Sequence, residues 1–426
     1  MCVKLFVARV TSWVFYLFLL LGGLQGTLLI VSQYRDSTHE MICGPSSNIQ
    51  KNHNSNAADE GGPQQNLRSS EKVMNVTTPY RPPADLPTVF EGIKARAFES
   101  WPQDQTLPCF EAEENWRYNL NTPTDNGLIY LKGYKTGSST SSGIHLRIAR
   151  NLARRQNKTF AICKSRFDHA WAERFYSNRI RKQTFMWSIV RHPTSRVVSQ
   201  FFHFEVSRKK VEPSDEKFID YIINGPLNMI QDYYLNYLSL TGYKRGKDDP
   251  VEIANKVLDD YDFIGITERM DESALALAML MGIPIADILY LTAKGHGGFD
   301  DAGGRGDQTC TYIWPAFISD GMQEYLDSEE WTIRHHWDMA FYQAANRSLD
   351  LTIDRLGRER FEKNLALYEQ ARKLSREKCL HKTVFPCSAG GKFTPDELTD
   401  CLWKDSGCGS ECLDEVANEL DLWSIH

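Results

Sequence analysis

The stretch Gly127–Arg155, GLIYLKGYKTGSSTSSGIHLRIARNLARR, decides the fold. GLIYLKG is a short apolar run bounded by turn residues, the pattern of a buried strand. The following segment puts Ile144, Ile148, Ala149 and Leu152 on one helical face, with Arg147, Arg150 and Arg154 on the other. Between them runs Lys135-Thr136-Gly137-Ser138-Ser139-Thr140. A loop from a strand into a helix start presents unpaired N–H groups, and the helix dipole favours negative charge there. The hydroxyls of Ser138, Ser139 and Thr140 add donors, and Lys135 adds a mobile cation. Ser and Thr are also ordinary helix caps, so the loop alone leaves an anion site and a plain cap both open.

The pattern repeats along the chain. KTFAIC (Lys158–Cys163) and TFMWSIV (Thr184–Val190) are the next expected strands, YDFIGI (Tyr261–Ile266) another, and DILYL (Asp287–Leu291) a possible fifth. A helix is expected after Pro193, with Val197, Val198, Phe201 and Phe202 facing inward. Further helices are expected over Asp271–Met281, Trp337–Leu356 and Arg358–Lys373. Strand–helix alternation argues for an α/β fold, a mostly parallel sheet with helices on both faces. In such sheets ligands sit at the C-terminal ends of strands, where the Lys135–Thr140 loop lies.

The ends differ in kind. Residues 10–32 form a 23-residue apolar run, long enough to span a bilayer. Lys4 and Arg9 precede it, which leaves 1–9 as a cytoplasmic tail and puts the remainder in the lumen. A signal anchor is favoured over a cleaved signal peptide, because no clear small-x-small site ends the run. Residues 33–107, rich in Ser, Asn, Gly, Pro and Gln, are expected to be an extended or disordered stem. A folded domain over 108–375 and a Cys-rich extension over 376–426 complete the expected order. Ten cysteines, five of them in that extension, and the acceptor triplets at Asn75, Asn157 and Asn346 suit an oxidising, luminal compartment. The cysteine spacing favours disulfides over metal.

The net charge of −6 suggests no nucleic-acid partner. It conceals an asymmetry: Leu131–Lys210 holds 18 lysines and arginines against three acids, Asp168, Glu173 and Glu205. Such a field attracts anions, and solvated helix faces account for only part of it. Within this window Arg191 ends the TFMWSIV strand and Ser199 follows eight residues later in the next helix. A guanidinium and a hydroxyl so spaced can hold one phosphate. A Walker A loop requires G-x-x-x-x-G-K-[ST], and here the lysine stands two residues before the glycine. No carboxylate pair near the loop suggests a metal site, and none is expected.

K-T-G-S-S after a first strand, with R-x-P-x5-S after a later one, resembles the sulfotransferases that use 3′-phosphoadenosine-5′-phosphosulfate. The anchor, stem and luminal body look like the Golgi carbohydrate-modifying branch. FMWSIVRHP and CKSRF are similar to segments of the galactose 3-O-sulfotransferases, and YDFIGITERMDESALALAMLMG to a strand–helix unit of several Golgi members. The likeness covers about Asn126 to Leu291, with weaker similarity to Lys373, and the stem and Cys-rich tail match nothing in it. It implies a P-loop-NTPase-like three-layer sandwich, a Golgi type II membrane protein, and transfer of a sulfuryl group to a hydroxyl of a glycan or glycolipid, with no metal. It further implies that Lys135 neutralises the departing phosphate and that Thr136, Gly137, Ser138, Ser139 and Thr140 cradle the 5′-phosphosulfate. Arg191 and Ser199 would grip the 3′-phosphate.

A base must take the proton of the attacking hydroxyl. The galactose sulfotransferases carry a histidine shortly before the RF pair, in the place where this chain has Lys164, two residues before Arg166. His169, beside Asp168, is the first choice, with Lys164, Asp168 and a later acid as the others. His192 and His145 are weaker candidates. The segment TAKGHGGFDDAGGRGDQTCTY is expected to be a long loop near the site, where Lys294 or Arg305 could touch a ligand. Two other readings stand beside the sulfotransferase one: a luminal nucleotide-dependent phosphotransferase, and a catalytically silent glycan-binding protein of the same fold.

Overall fold

The computed structural model describes residues 87–110, 126–158, 162–163, 165–292, 298–301 and 309–424. The apolar run at 10–32, the acceptor Asn75, and Lys164, Lys294 and Arg305 lie outside the described residues. Among the described residues no helix is long and apolar enough to cross a membrane.

A short hairpin, β1 (Val89–Phe90) and β2 (Ile93–Lys94), precedes the central strands β3 (Gly127–Leu131), β4 (Ser165–Asp168), β5 (Thr184–Val190) and β6 (Phe263–Ile266). A second hairpin, β7 (Gly298–Asp301) and β8 (Cys310–Ile313), follows. The helices are α1 (Ser138–Arg155), α2 (Ala172–Tyr176), α3 (Pro193–Phe201), α4 (Asp215–Asn224), α5 (Leu227–Ile230) and α6 (Tyr233–Leu238). They continue as α7 (Pro250–Asp260), α8 (Met270–Met281), α9 (Asp320–Leu326), α10 (Glu329–Leu356), α11 (Arg358–Cys379) and α12 (Ser410–Glu419).

The central sheet has the order β4-β3-β5-β6, and every pairing is parallel. Every residue of β3, β5 and β6 is buried. Side chains alternate across a strand, so both faces of the sheet are covered. The result is an α/β fold compatible with a three-layer sandwich. The chain leaves β3 for β4 on one side and returns to β5 on the other, so the sheet switches direction between β3 and β5. Crevices for ligands form at such points. A second apolar cluster, including Val197, Val198 and Phe201 of α3 and the following Phe202 with Phe218 and Met322, packs α3 against α4 and α9.

Several expectations are revised. The second strand is Ser165–Asp168; Ile162 and Cys163, the described end of KTFAIC, precede it. DILYL is no fifth strand, since Ile285–Ile288 is a 3-10 turn and the chain continues irregularly. Of the expected stem, the described residues 87–107 pack onto the body: Ile93 and Phe98 sit fully buried in the main core. The glycine-rich segment contributes a hairpin, tied by Cys310–Cys387. Asn346 is buried in α10 and accepts a hydrogen bond from Arg269 at 2.9 Å, so it is no glycosylation acceptor in the folded chain. Asn157 is exposed at the end of α1.

The disulfide reading holds. Cys109–Cys163, Cys310–Cys387, Cys379–Cys412 and Cys401–Cys408 are bonded. The Cys-rich tail folds back on the body, and this changes the reading of the basic window. Arg147, Arg150 and Arg154 do not face solvent as a set; all three ion-pair with Asp414 of α12, at 2.7, 2.7 and 2.9 Å. Arg155 and Asn151 hold the fully buried Asp287. A buried cation needs such partners, because desolvation would otherwise be prohibitive. Four of the basic charges thus serve packing, and the field near the loop comes from elsewhere.

Candidate anion site at the sheet switch point

The loop after β3 is bent by two left-handed residues, Lys135 (φ 61°) and Gly137 (φ 72°), on either side of Thr136. A lysine rarely adopts that conformation, which carries a cost of about 1 kcal/mol in a non-glycine residue. Gly137 caps α1 without any side-chain cap, so the first-turn N–H groups are not met by a capping oxygen. Turns of this kind make concave anion sites. Space at Gly137 is also closed, for a Cβ there would lie 3.0 Å from Met270 and 3.3 Å from Thr267.

The loop is held in place from several sides. Thr136 is fully buried, and its hydroxyl donates to the Gly133 carbonyl at 3.2 Å. Thr267, just past β6, lies with its Oγ1 2.9 Å from the Thr136 carbonyl and 3.0 Å from the Val190 carbonyl. One hydroxyl thereby bridges the loop after β3 to the end of β5.

Arg191 emerges from β5 at the same place. Its Nη1 donates to the Lys135 carbonyl at 3.3 Å, joining the two motifs directly. Its Nε lies 4.0 Å from Glu268, whose other oxygen accepts from Tyr342 at 3.2 Å. The Glu268 carboxylate also accepts from the His192 N–H at 3.0 Å. Burial lowers the Arg191 pKa, which Glu268 opposes, and burial raises that of Glu268, which the His192 N–H and Arg191 oppose. A partly desolvated cation with a distant counter-charge keeps attraction for a second anion.

Ser138 and Thr140 lie half-buried in the first turn of α1, and their hydroxyls make no hydrogen bond among the described residues. Ser199 is half-buried in α3, does not touch Arg191 through a hydrogen bond, and its hydroxyl is likewise unengaged there. Ser139 differs, donating to Asp405 at 2.8 Å. Asp405 belongs to the tail, in the loop closed by Cys401–Cys408. That loop reaches α1 because Gly143 lets the backbones meet: a Cβ there would be 2.7 Å from the Gly407 nitrogen.

His169 follows β4, with an exposed ring stacked on Tyr134 at 4.2 Å and 14°. Burial against the protein, then the cations Lys132 and Lys135, hold its pKa far below the ordinary histidine range, while a bond to the Lys132 main chain and the charge of Asp405 oppose them. The direction leaves His169 neutral at pH 7. The Asp168 backbone pairs with Leu131 in the sheet. His145 is buried against Tyr130 and Trp187, and its Nδ1 accepts from the Trp187 indole at 3.2 Å, a packing role. His192 has its ring edge-on to Tyr342 and a lowered pKa through burial.

The structure therefore gathers Lys135, Thr136, Gly137, Ser138, Ser139, Thr140 and Arg191 at one switch point, with His169, which follows β4, stacked on Tyr134 of the same loop. It adds Thr267, Glu268, Tyr134 and Asp405, which the motifs did not indicate. The TERM run after YDFIGI carried the only local signal, a polar pair at the C-terminal end of a core strand. Comparison with models of known protein families, with curated proteins and with solved structures gives no significant match to this chain.

Proposed function

We propose that this protein transfers a sulfuryl group from 3′-phosphoadenosine-5′-phosphosulfate to a hydroxyl of a glycan or glycolipid. One observation carries the reading: the Arg191 guanidinium bonds to the Lys135 carbonyl at 3.3 Å, so two anion-binding motifs share one crevice. A nucleotide with phosphates at both the 5′ and 3′ positions needs two such groups, and a simple 5′-nucleotide needs one. The fold is then of the P-loop-NTPase-like sulfotransferase type, without the Walker loop.

In this reading the acceptor oxygen attacks sulfur in line with the bridging oxygen. The new O–S bond forms as the S–O bond to the 5′-phosphate breaks, and adenosine 3′,5′-bisphosphate leaves with that bridging oxygen. Lys135 and the first-turn N–H groups offset the charge that develops on it. Neutral His169 takes the acceptor proton. Positioning and electrostatic complementarity supply most of the acceleration in a loose transfer of this kind. The four disulfides among the described residues fit the oxidising Golgi lumen, and the apolar run at 10–32 fits a type II anchor.

The test is calorimetric titration of the full chain in detergent with adenosine 3′,5′-bisphosphate, AMP and ATP, repeated on Lys135→Ala and Arg191→Ala. Tight binding that needs the 3′-phosphate and is lost in Arg191→Ala is expected. Equal or better binding of ATP by the folded chain would favour a phosphotransferase, and no nucleotide binding would favour a silent glycan-binding protein.

A further inference from the structure

Helix α6 carries three buried tyrosines, Tyr233, Tyr234 and Tyr237, and each hydroxyl ends on the main chain of an anion loop. Tyr233 accepts from the Tyr134 N–H at 2.7 Å, and Tyr237 donates to the Lys132 carbonyl at 2.8 Å. Tyr234 reaches the other motif: its hydroxyl accepts from the Arg191 N–H at 2.9 Å and donates to the Arg191 carbonyl. One short helix thus grips the loop after β3 at two points and the loop after β5 at a third.

The helix is itself fixed. Asp338 of α10, fully buried, accepts from the Tyr233 and Tyr234 N–H groups at 3.1 and 2.9 Å. The Arg196 guanidinium lies 3.9 Å from the centre of the Tyr233 ring and donates to the Met229 carbonyl at 3.0 Å. Tyr233 and Tyr237 stack at 5.0 Å. Phenylalanine would fill these positions equally well for packing alone. A buried phenol without a partner is costly, so hydroxyls here are explained by the bonds they make.

The geometry points to Tyr234 as the residue that sets specificity for the 3′-phosphate, by fixing the Arg191 backbone at a set distance from the Lys135 loop. Tyr233 and Tyr237 hold the other side of that distance. The inference rests on the sulfotransferase reading, in which Arg191 holds the 3′-phosphate. Tyr234 touches no ligand in this scheme and acts through Arg191, so it is a positioning residue.

The test compares adenosine 3′,5′-bisphosphate with AMP on the full chain, using wild type, Tyr234→Phe and Tyr237→Phe. Tyr234→Phe is expected to weaken the bisphosphate about tenfold, in line with one or two lost hydrogen bonds, and to leave AMP within about twofold. Tyr237→Phe should weaken both nucleotides in parallel. With the sulfated donor, Tyr234→Phe should raise KM and leave kcat nearly unchanged. A Tyr234→Phe protein that keeps the wild-type ratio of bisphosphate to AMP affinity overturns the inference, whatever its thermal stability. A wild-type chain that does not distinguish the two nucleotides overturns the sulfotransferase reading instead. If Tyr234→Phe does not fold, Asp338→Asn, which removes one of two acceptors from α6, is read by the same ratio, with the same outcomes.

Discussion

Asp405 presents the sharpest electrostatic conflict in the site, and removing its charge should strengthen donor binding. Its carboxylate accepts the Ser139 hydroxyl at 2.8 Å, while Ser139 belongs to the cradle proposed above for a dianionic phosphosulfate. Binding must therefore break this bond and seat negative charge beside the carboxylate. A hydrogen bond to a charged group contributes about 1.5–3 kcal/mol and a neutral one about 0.5–1.5, so Asp405→Asn removes roughly 1 kcal/mol of competition. Repulsion between charges about 5 Å apart at an effective dielectric near 20 is worth about 3 kcal/mol, and solvent at this half-open position reduces it to around 1. The sum, about 2 kcal/mol, corresponds to roughly 30-fold tighter binding. Calorimetry with adenosine 3′,5′-bisphosphate measures it, and Ser139→Ala with the double variant isolates the shared bond. Unchanged or weaker binding in a folded Asp405→Asn chain would falsify the competition argument and make Asp405 a structural anchor of the tail.

Three further outcomes follow from the same contacts. Gly143→Ala puts a methyl group against the Gly407 backbone, within 2.7 Å, and should cost about 1–3 kcal/mol in urea unfolding while loosening the 401–408 loop; wild-type stability would contradict it. Lys135→Gly should be as stable as Lys135→Ala or better by up to about 1 kcal/mol, because Lys135 is left-handed at φ 61°, yet both should lose donor affinity. A less stable glycine variant would show that no strain is stored there. His145 and His335 have pKa values pushed down to about 3, in each case chiefly by burial. Their folded values lie below the unfolded one, so the stability they contribute is full above about pH 6.5 and is lost as pH falls toward 3. Asp338, raised to about 6 by burial, works in the opposite sense between its unfolded value and pH 6. The wild-type minus His145→Asn difference in urea midpoint should therefore shrink on going from pH 7 to pH 4, and a constant difference would exclude a neutral buried imidazole.

The elements that could be read from sequence are those whose burial is complete and local. TFMWSIV and FIGI are buried at every position, and mostly apolar, because the sheet is covered on both faces. The second strand was hidden because it lies at the sheet edge and reads SRFD. Its Arg166 is buried with the guanidinium 4.8 Å from the Phe175 ring centre, so a polar letter stands at a packed position. DILYL failed in the opposite way. It is buried and mostly apolar, but its carbonyls are met by side chains: Tyr368 donates to Ile288 at 2.8 Å and Arg372 to Tyr290. Nothing in the run itself distinguishes such a segment from a strand.

The same contrast separates the two parts of the site. Groups that would meet a ligand directly were legible, because an anion requires glycine, hydroxyls and cations at a strand end. Groups that position them were not. Tyr234 acts through a main-chain contact to Arg191, and an aromatic in a helix of the form YYLNYL is indistinguishable from core. Asp405 arrives from 266 residues away, carried by a disulfide loop, and Asp414 neutralises arginines that local spacing assigned to solvent. Charge counts along a window are therefore a poor guide to the field at a site. After Asp414 and Asp287 have paired with the α1 arginines, the described cations at the loop include Lys132, Lys135 and Arg191, and their placement rather than their number determines what anion the crevice can hold.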